Sequence, residues 1–199
     1  MINNEIKIEL FTNDQYSIKE LAKLHKQLFD KDHFTSTFSE DLLSDYFTAL
    51  LNKSQFNYKA IVDNGIVGYL IAGVNLDKVL SDFSRKNFLK LFYYLVRNPR
   101  FVKEKIFDLF SKIFLSNRKS SAEMRLFLIA AKHSENIKGV GKKLIQQLEQ
   151  DLIKNKITVY GLSVRKHNSK AIDFYLQQGF VEEFRTNKSI YFIKSLQRV

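Results

Sequence analysis

Between Glu123 and Lys194 the hydrophobic pattern changes period four times, and no other feature limits the fold of this chain as strongly. Glu123 to Ala131 is dense in apolar residues and bounded by polar ones, as a buried strand is. After a polar turn and a short glycine-containing loop, Lys142 to Asn155 places Leu144, Ile145, Leu148 and Leu152 at helical spacing. Ile157 to Val164 returns to strand, Ser169 to Gln178 to helix, with Gly179 as its C-terminal cap, and Ser189 to Lys194 closes as a strand. Strand, helix, strand, helix, strand specifies an α/β unit.

The loop at the centre of that unit, Ile129 to Leu144, is built to receive an anion. The first N–H groups of a helix have no partner within it, and the helix dipole adds positive potential at the same end. Gly139 and Gly141 let the backbone approach closely. Two better-known phosphate motifs fail here: Leu144 stands where a dinucleotide fingerprint has its third glycine, and Lys142-Lys143 are not followed as in a Walker A loop.

Ahead of this unit, Glu5 to Phe11 alternates like a half-buried strand, and Ser17 to Phe29 reads as a helix with Ser17 as its cap. A second helix runs from about Ser39 to Leu50. Tyr58 to Asp63 and Ile66 to Val74 read as strands of a hairpin turning at Asp63-Asn64-Gly65, since Asn-Gly accepts positive φ. Val79 to Ser120 is helical again, in two amphipathic pieces broken near Asn98-Pro99.

Charge is uneven along the 199 residues. Of a net +11, most sits between Lys78 and Lys119, where eleven basic residues face three acidic ones. No apolar run approaches the roughly 20 residues that span a bilayer, and Met1 to Glu5 lacks the features of a signal peptide. The chain has no cysteine, which rules out disulfides and thiolate chemistry and fits a cytoplasmic location. Its four histidines are not at metal-ligand spacing, so no metal is expected.

The loop, followed by Leu162-x-Val164-x-x-x-Asn168-x-x-Ala171-x-x-Phe174-Tyr175-x-x-x-Gly179-Phe180, resembles the GNAT family of acyl-CoA-dependent N-acetyltransferases. The match covers about residues 56 to 76 and 121 to 194 well and the first two helices loosely, and it leaves out 79–120. Asn136, Gly139 and Gly141 stand at the first, fourth and sixth places of the family's Gln/Arg-x-x-Gly-x-Gly/Ala motif, with Asn136 departing from its usual Gln or Arg. The resemblance implies one domain over 1–199, α/β with a mixed, mostly antiparallel sheet, and a basic amphipathic helical insertion at 79–120 between the third and fourth strands. It implies acetyl-CoA as cosubstrate: the backbone of Ile129, Ala130 and Ala131 pairs with the pantetheine arm, and the amides of Ile137, Lys138, Gly139, Val140, Gly141 and Lys142 hold the pyrophosphate. Lys138 and Lys142 add charge there, and Asn168 contacts the cofactor. Tyr175 matches the hydroxyl that faces the thioester sulfur and serves as general acid.

Glu123 lies thirteen residues before Asn136, where the histone-modifying branch of the family is expected to carry a general-base glutamate; it reads equally well as a solvated residue at a strand start. Asn168 doubles as a helix N-cap, and His25, His33, His133 and His167 read as structural or surface groups. The implied reaction is direct acetyl transfer to a primary amine of a small molecule, an amino sugar or its nucleotide conjugate among the candidates. A protein or peptide N-acetyltransferase and a non-catalytic CoA-binding module remain open alternatives. For 79–120 the readings are a solvated charged face, a lid, a peripheral membrane contact or a homodimer interface; no nucleic-acid reader motif accompanies its charge.

Overall fold

The computed structural model describes residues 5–29, 33–102, 119–132 and 137–196. These fall into two compact units, one drawn from 1–12, 54–76 and 120–199, the other from 13–53 and 77–119. The segment 77–119 thus groups with the first two helices of the chain.

The first unit holds a seven-stranded sheet made of β1 (Lys7–Leu10), β2 (Phe56–Val62), β3 (Gly65–Val74), β4 (Met124–Ala131), β5 (Val159–Arg165), β6 (Val181–Arg185) and β7 (Ser189–Ser195). Their order is β1-β2-β3-β4-β5-β7-β6, and only the β4–β5 contact is parallel. The expected mixed, mostly antiparallel sheet is therefore observed. The strand entered after Gly179-Phe180 is β6, which carries two adjacent acids, Glu182 and Glu183, and sits at the sheet edge, where no alternation is imposed on it. The β2–β3 hairpin forms as expected, with a shifted turn. Positive φ falls on Asp63 and Asn64, and Gly65 already pairs with Val62.

Helix α5 (Val140–Lys154) supplies much of this unit's core. Val140, Leu144, Ile145, Leu148 and Leu152 are buried against Tyr58, Leu70, Leu126, Leu162 and Phe192 of the sheet, and such side chains each contribute roughly 1.5–3 kcal/mol on burial. Two tyrosines tie the polar flank of the helix to strands. Tyr58 donates to Asp151 Oδ2 at 2.7 Å and Tyr160 to Glu149 Oε1 at 2.6 Å, which also accepts from Lys194. Burial works against the Asp151 carboxylate, but the bonds from Tyr58, Gln147 and Lys154 outweigh it and hold its pKa below the ordinary value.

The second unit contains α1 (Gln15–Leu28), a 3₁₀ turn at Phe34–Thr37, α2 (Glu40–Leu51), α3 (Leu76–Lys86, beginning at the unit boundary) and α4 (Phe88–Arg97). The cap of α1 is Asp14, not Ser17: Asp14 Oδ1 accepts the Ser17 N–H at 2.9 Å, and Oδ2 accepts the Ser17 hydroxyl. For α2 the expected cap holds, with Ser39 Oγ accepting the Leu42 N–H. The stretch before Pro99 is broken at Asn87, so it forms α3 and α4 where the apolar period alone suggested one helix. Rings join these helices, Tyr46 to Phe83, Phe38 to Tyr94 and Phe34 to Phe101.

Candidate active site

The sheet opens at one place. β5 pairs with β7 over seven consecutive positions, from Val159↔Ser195 to Arg165↔Ser189, whereas β4 meets β5 only at Arg125↔Gly161. The departure has a local cause. In the β3–β4 ladder Ile71 faces Leu128 but Ala72 faces Leu126, so Phe127 is an extra residue in β4. Such a bulge bends its strand and sharpens the twist. It lies two residues beyond the last contact with β5, so the strands part from there onward.

The register decides which backbone groups face the opening. The Lys132 N–H donates to Val67 O at 2.7 Å, and alternation along an antiparallel pair then commits Ala130 to Tyr69. Ile129 and Ala131 direct their N–H and C=O groups the other way, toward the gap. Of the three residues expected to pair with a pantetheine arm, two are oriented for it, while the Ala130 backbone is spent on β3. The open edge accordingly offers the alternating donors and acceptors of an unfilled strand position.

Helix α5 starts at the end of this gap. Gly139 is its N-cap at φ 78°, a left-handed conformation that favours glycine, and a Cβ there would meet nothing within 4 Å among the described residues. No side chain caps this end and no acid occupies its first turn among the described residues. The first intrahelical bond runs from the Lys143 N–H to Gly139 O, so the N–H groups of Val140, Gly141 and Lys142 have no partner within the helix. Lys138 and Lys142 are exposed beside them. Gly141 has a second use, because its absent Cβ accommodates the Phe174 ring, which lies 3.2 Å from where that atom would be. Asn136 and His133 lie outside the described residues.

Gly68, which the sequence reading passed over, fixes this helix end in place. A Cβ on it would come within 2.8 Å of Val140 Cγ1 and 3.0 Å of Ala130 O, so only glycine lets the first residue of α5 settle against β3 and β4. Its signal was a glycine inside a strand.

Helix α6 (Ser169–Gln177) carries the remaining candidates. Asn168 is its N-cap, accepting the Ala171 N–H at 3.1 Å, and is exposed. The helix ends in a Schellman turn as expected of Gly179, which sits at φ 82°. There the Gly179 N–H donates to Leu176 O and the Phe180 N–H to Tyr175 O. Tyr175 is 8% exposed, with its ring 5.2 Å from Phe174 and 5.5 Å from Phe180. Burial raises its pKa above the ordinary 10, so the phenol keeps its proton at neutral pH. Its hydroxyl makes no hydrogen bond among the described residues. Phe174 touches Gly141 while Tyr175 follows it, so one turn of α6 links the anion seat to the buried phenol.

Glu123 lies apart from the gap. It is exposed in the bend before β4, about 26 Å of extended strand from Ala131 and on the paired side of the Arg125↔Gly161 contact. His25, in the second unit, is buried, bonded to Thr35 Oγ1 at 2.7 Å, and held neutral, with burial lowering its pKa to about 3. Among the described residues no group of side chains could hold a metal ion.

Comparison with known proteins gives these features a context. The family model described as Acetyltransferase (GNAT) family matches residues 108–180, a span that includes β4, the loop, α5, β5 and α6. Among solved structures, PH1933 from Pyrococcus horikoshii OT3 is 17% identical with a TM-score of 0.64, covering 97% of this chain and 99% of its own. PaiA N-acetyltransferase from Thermoplasma acidophilum, solved in complex with coenzyme A, is 15% identical with a TM-score of 0.60, covering 96% and 99%. The ribosomal-protein-S18-alanine N-acetyltransferase from Escherichia coli is 15% identical with a TM-score of 0.58, covering 97% and 95%. At these identities the likeness is one of fold. No curated protein matches the sequence.

Proposed function

We propose that this chain, whose residues 108–180 match the family model of GNAT acetyltransferases, is an acetyl-CoA-dependent N-acetyltransferase that transfers an acetyl group directly to the primary amine of a small molecule. The observation that carries this reading is the parting of β4 from β5 beside an uncapped helix N-terminus. An arm bearing amides and ending in a pyrophosphate fits a slot with strand-like polar groups along one wall and three free helix amides at its end.

Ile129 and Ala131 would hold the arm through their gap-facing backbone groups, and the amides of Val140, Gly141 and Lys142 would hold the pyrophosphate, with Lys138 and Lys142 adding charge. Asn168 uses its Oδ1 as a helix cap, leaving its amide nitrogen to donate. Acetyl-CoA supplies the activated acetyl group when bound. A neutral amine forms the new C–N bond at the acetyl carbon as the C–S bond breaks. The protonated Tyr175 phenol then gives its proton to the departing sulfur. Glu123, given its distance along β4, takes the amine's proton only through intervening water.

An acetyl-CoA consumption assay over amino sugars and their nucleotide conjugates, polyamines, amino acids and peptide N-termini tests the reading. Turnover is expected with a small soluble amine, and Tyr175→Phe should lower kcat by about 10²–10³ while CoA affinity stays unchanged. Glu123→Gln should cost roughly tenfold, and no change would remove Glu123 from the mechanism. Turnover on peptides alone would make the chain a protein N-acetyltransferase; CoA binding without any turnover would make it a binding module.

A further inference from the structure

Helix α4 is apolar on both sides. At about 100° per residue, Leu91, Tyr94 and Leu95 form one face. This is the inner one: the Tyr94 ring lies 5.5 Å from that of Phe38 at a tilted angle, and its hydroxyl accepts the Ser39 N–H at 3.0 Å. The opposite arc, about 140° wide by the same geometry, is Phe88, Phe92, Val96, Leu89 and Tyr93, which are 63%, 55%, 60%, 79% and 49% exposed. Five large apolar side chains over ten residues is more than scattered surface hydrophobicity explains.

Cations border that arc. Lys90 and Arg97 follow directly at its edge by helical angle, and Arg97 lies over the Tyr93 ring at 4.8 Å. Arg85 and Lys86 end α3 just before Phe88, and Arg100 follows the helix; all are exposed. The acids nearby are spent locally, Asp82 against Arg85 at 3.2 Å and Asp45 against Lys90 at 3.9 Å. From Lys78 to Val102 there are six basic residues and one acid.

We infer that α4 is a docking face for an anionic lipid surface, lying in the plane of the interface with its outer arc among the acyl chains and its border cations at the headgroups. Charge selects this occupant over a second copy, since two such faces brought together would oppose their like charges. The side-chain types select it over nucleic acid. Leu89 and Val96 offer no surface for base stacking, but they do partition into hydrocarbon. The contact needs no spanning helix, and none is long and apolar enough to cross a membrane among the described residues.

The chain has no tryptophan, so Phe92→Trp makes a single-tryptophan reporter of the whole chain, excited selectively over its tyrosines. With vesicles of phosphatidylcholine containing about 30% phosphatidylserine, a composition that gives a negative surface, the emission should shift to the blue and the protein should co-sediment. Neither should occur with phosphatidylcholine alone, and added salt should reverse both. In that background Leu89→Glu with Val96→Glu should abolish binding. Lys90→Glu with Arg97→Glu should weaken it by roughly tenfold or more. All four positions are exposed, and unchanged circular dichroism and melting temperature would show that the variants fold. Absence of binding to anionic vesicles, or equal binding to neutral ones, would overturn the proposal. So would a concentration-dependent dimer that Leu89→Glu dissociates, or single-stranded RNA that quenches the reporter, when vesicles leave the emission unmoved.

Discussion

Strand β5 has two neighbours, and the chain treats them in opposite ways. Toward β7 it is paired at every one of its seven residues; toward β4 it is paired at one, Gly161. A backbone group that leaves a sheet without a partner costs free energy unless something else satisfies it. The closed seam therefore serves stability, and the open seam leaves an edge that the proposed cosubstrate arm would complete. The price of that opening is confined to one side of one strand, because β3 keeps β4 fixed through the Phe127 bulge.

Damage to the closed seam should appear as stability. Phe192 of β7, 1% exposed, packs in the core on the face covered by α5. Phe192→Ala should cost about 3–5 kcal/mol in urea or thermal unfolding, with activity falling only as folded protein is lost. A variant that kept its stability but lost turnover would show that the two seams are not separate in role.

The open seam should report ligand in place of stability. In hydrogen exchange, the Ile129 and Ala131 amides should exchange faster than that of Ala130, whose backbone is committed to Tyr69. Added CoA at about 100 times its Kd should slow those two amides by up to about a hundredfold and leave Ala130 unchanged. Slow exchange at all three without CoA would mean that β4 is not open along this edge.

Much of the fold was legible because local rules and the global arrangement agree. Asp63-Asn64-Gly65 announced a hairpin and Gly179 a helix stop, each through a backbone conformation that few residues tolerate, and Ser39 announced a helix start through the side-chain oxygen that caps it. The glycine loop, Asn168 and Tyr175 were visible as a spaced series. What escaped depends on partners distant in sequence. The register that turns Ala130 toward β3 follows from the position of one bulge, and no periodicity of β4 alone reveals it. Gly141 reads as ligand-facing until Phe174 is found against it, and Gly68 means nothing until Val140 arrives. The break at Asn87 was hidden because apolar spacing continues through it: α4 is apolar on its outer face as well as its inner one, so the usual contrast that frames a helix is missing.

Gly139 is where seam and anion seat meet, and its substitution has the smallest expected effect on the fold. At φ 78° an alanine adopts an unfavourable conformation, yet among the described residues its Cβ would touch nothing within 4 Å. Gly139→Ala should therefore cost only about 1–2 kcal/mol of backbone strain, a drop of a few degrees in Tm. That side of Gly139 adjoins the amides of Val140, Gly141 and Lys142, which have no intrahelical partner, so the methyl group should also hinder an approaching pyrophosphate and weaken CoA binding by more than the loss of stability explains. Calorimetric titration of CoA at a temperature where the variant is fully folded separates the two effects. If the affinity is unchanged while Tm falls, Gly139 serves the turn alone, and the anion is held elsewhere than at the start of α5.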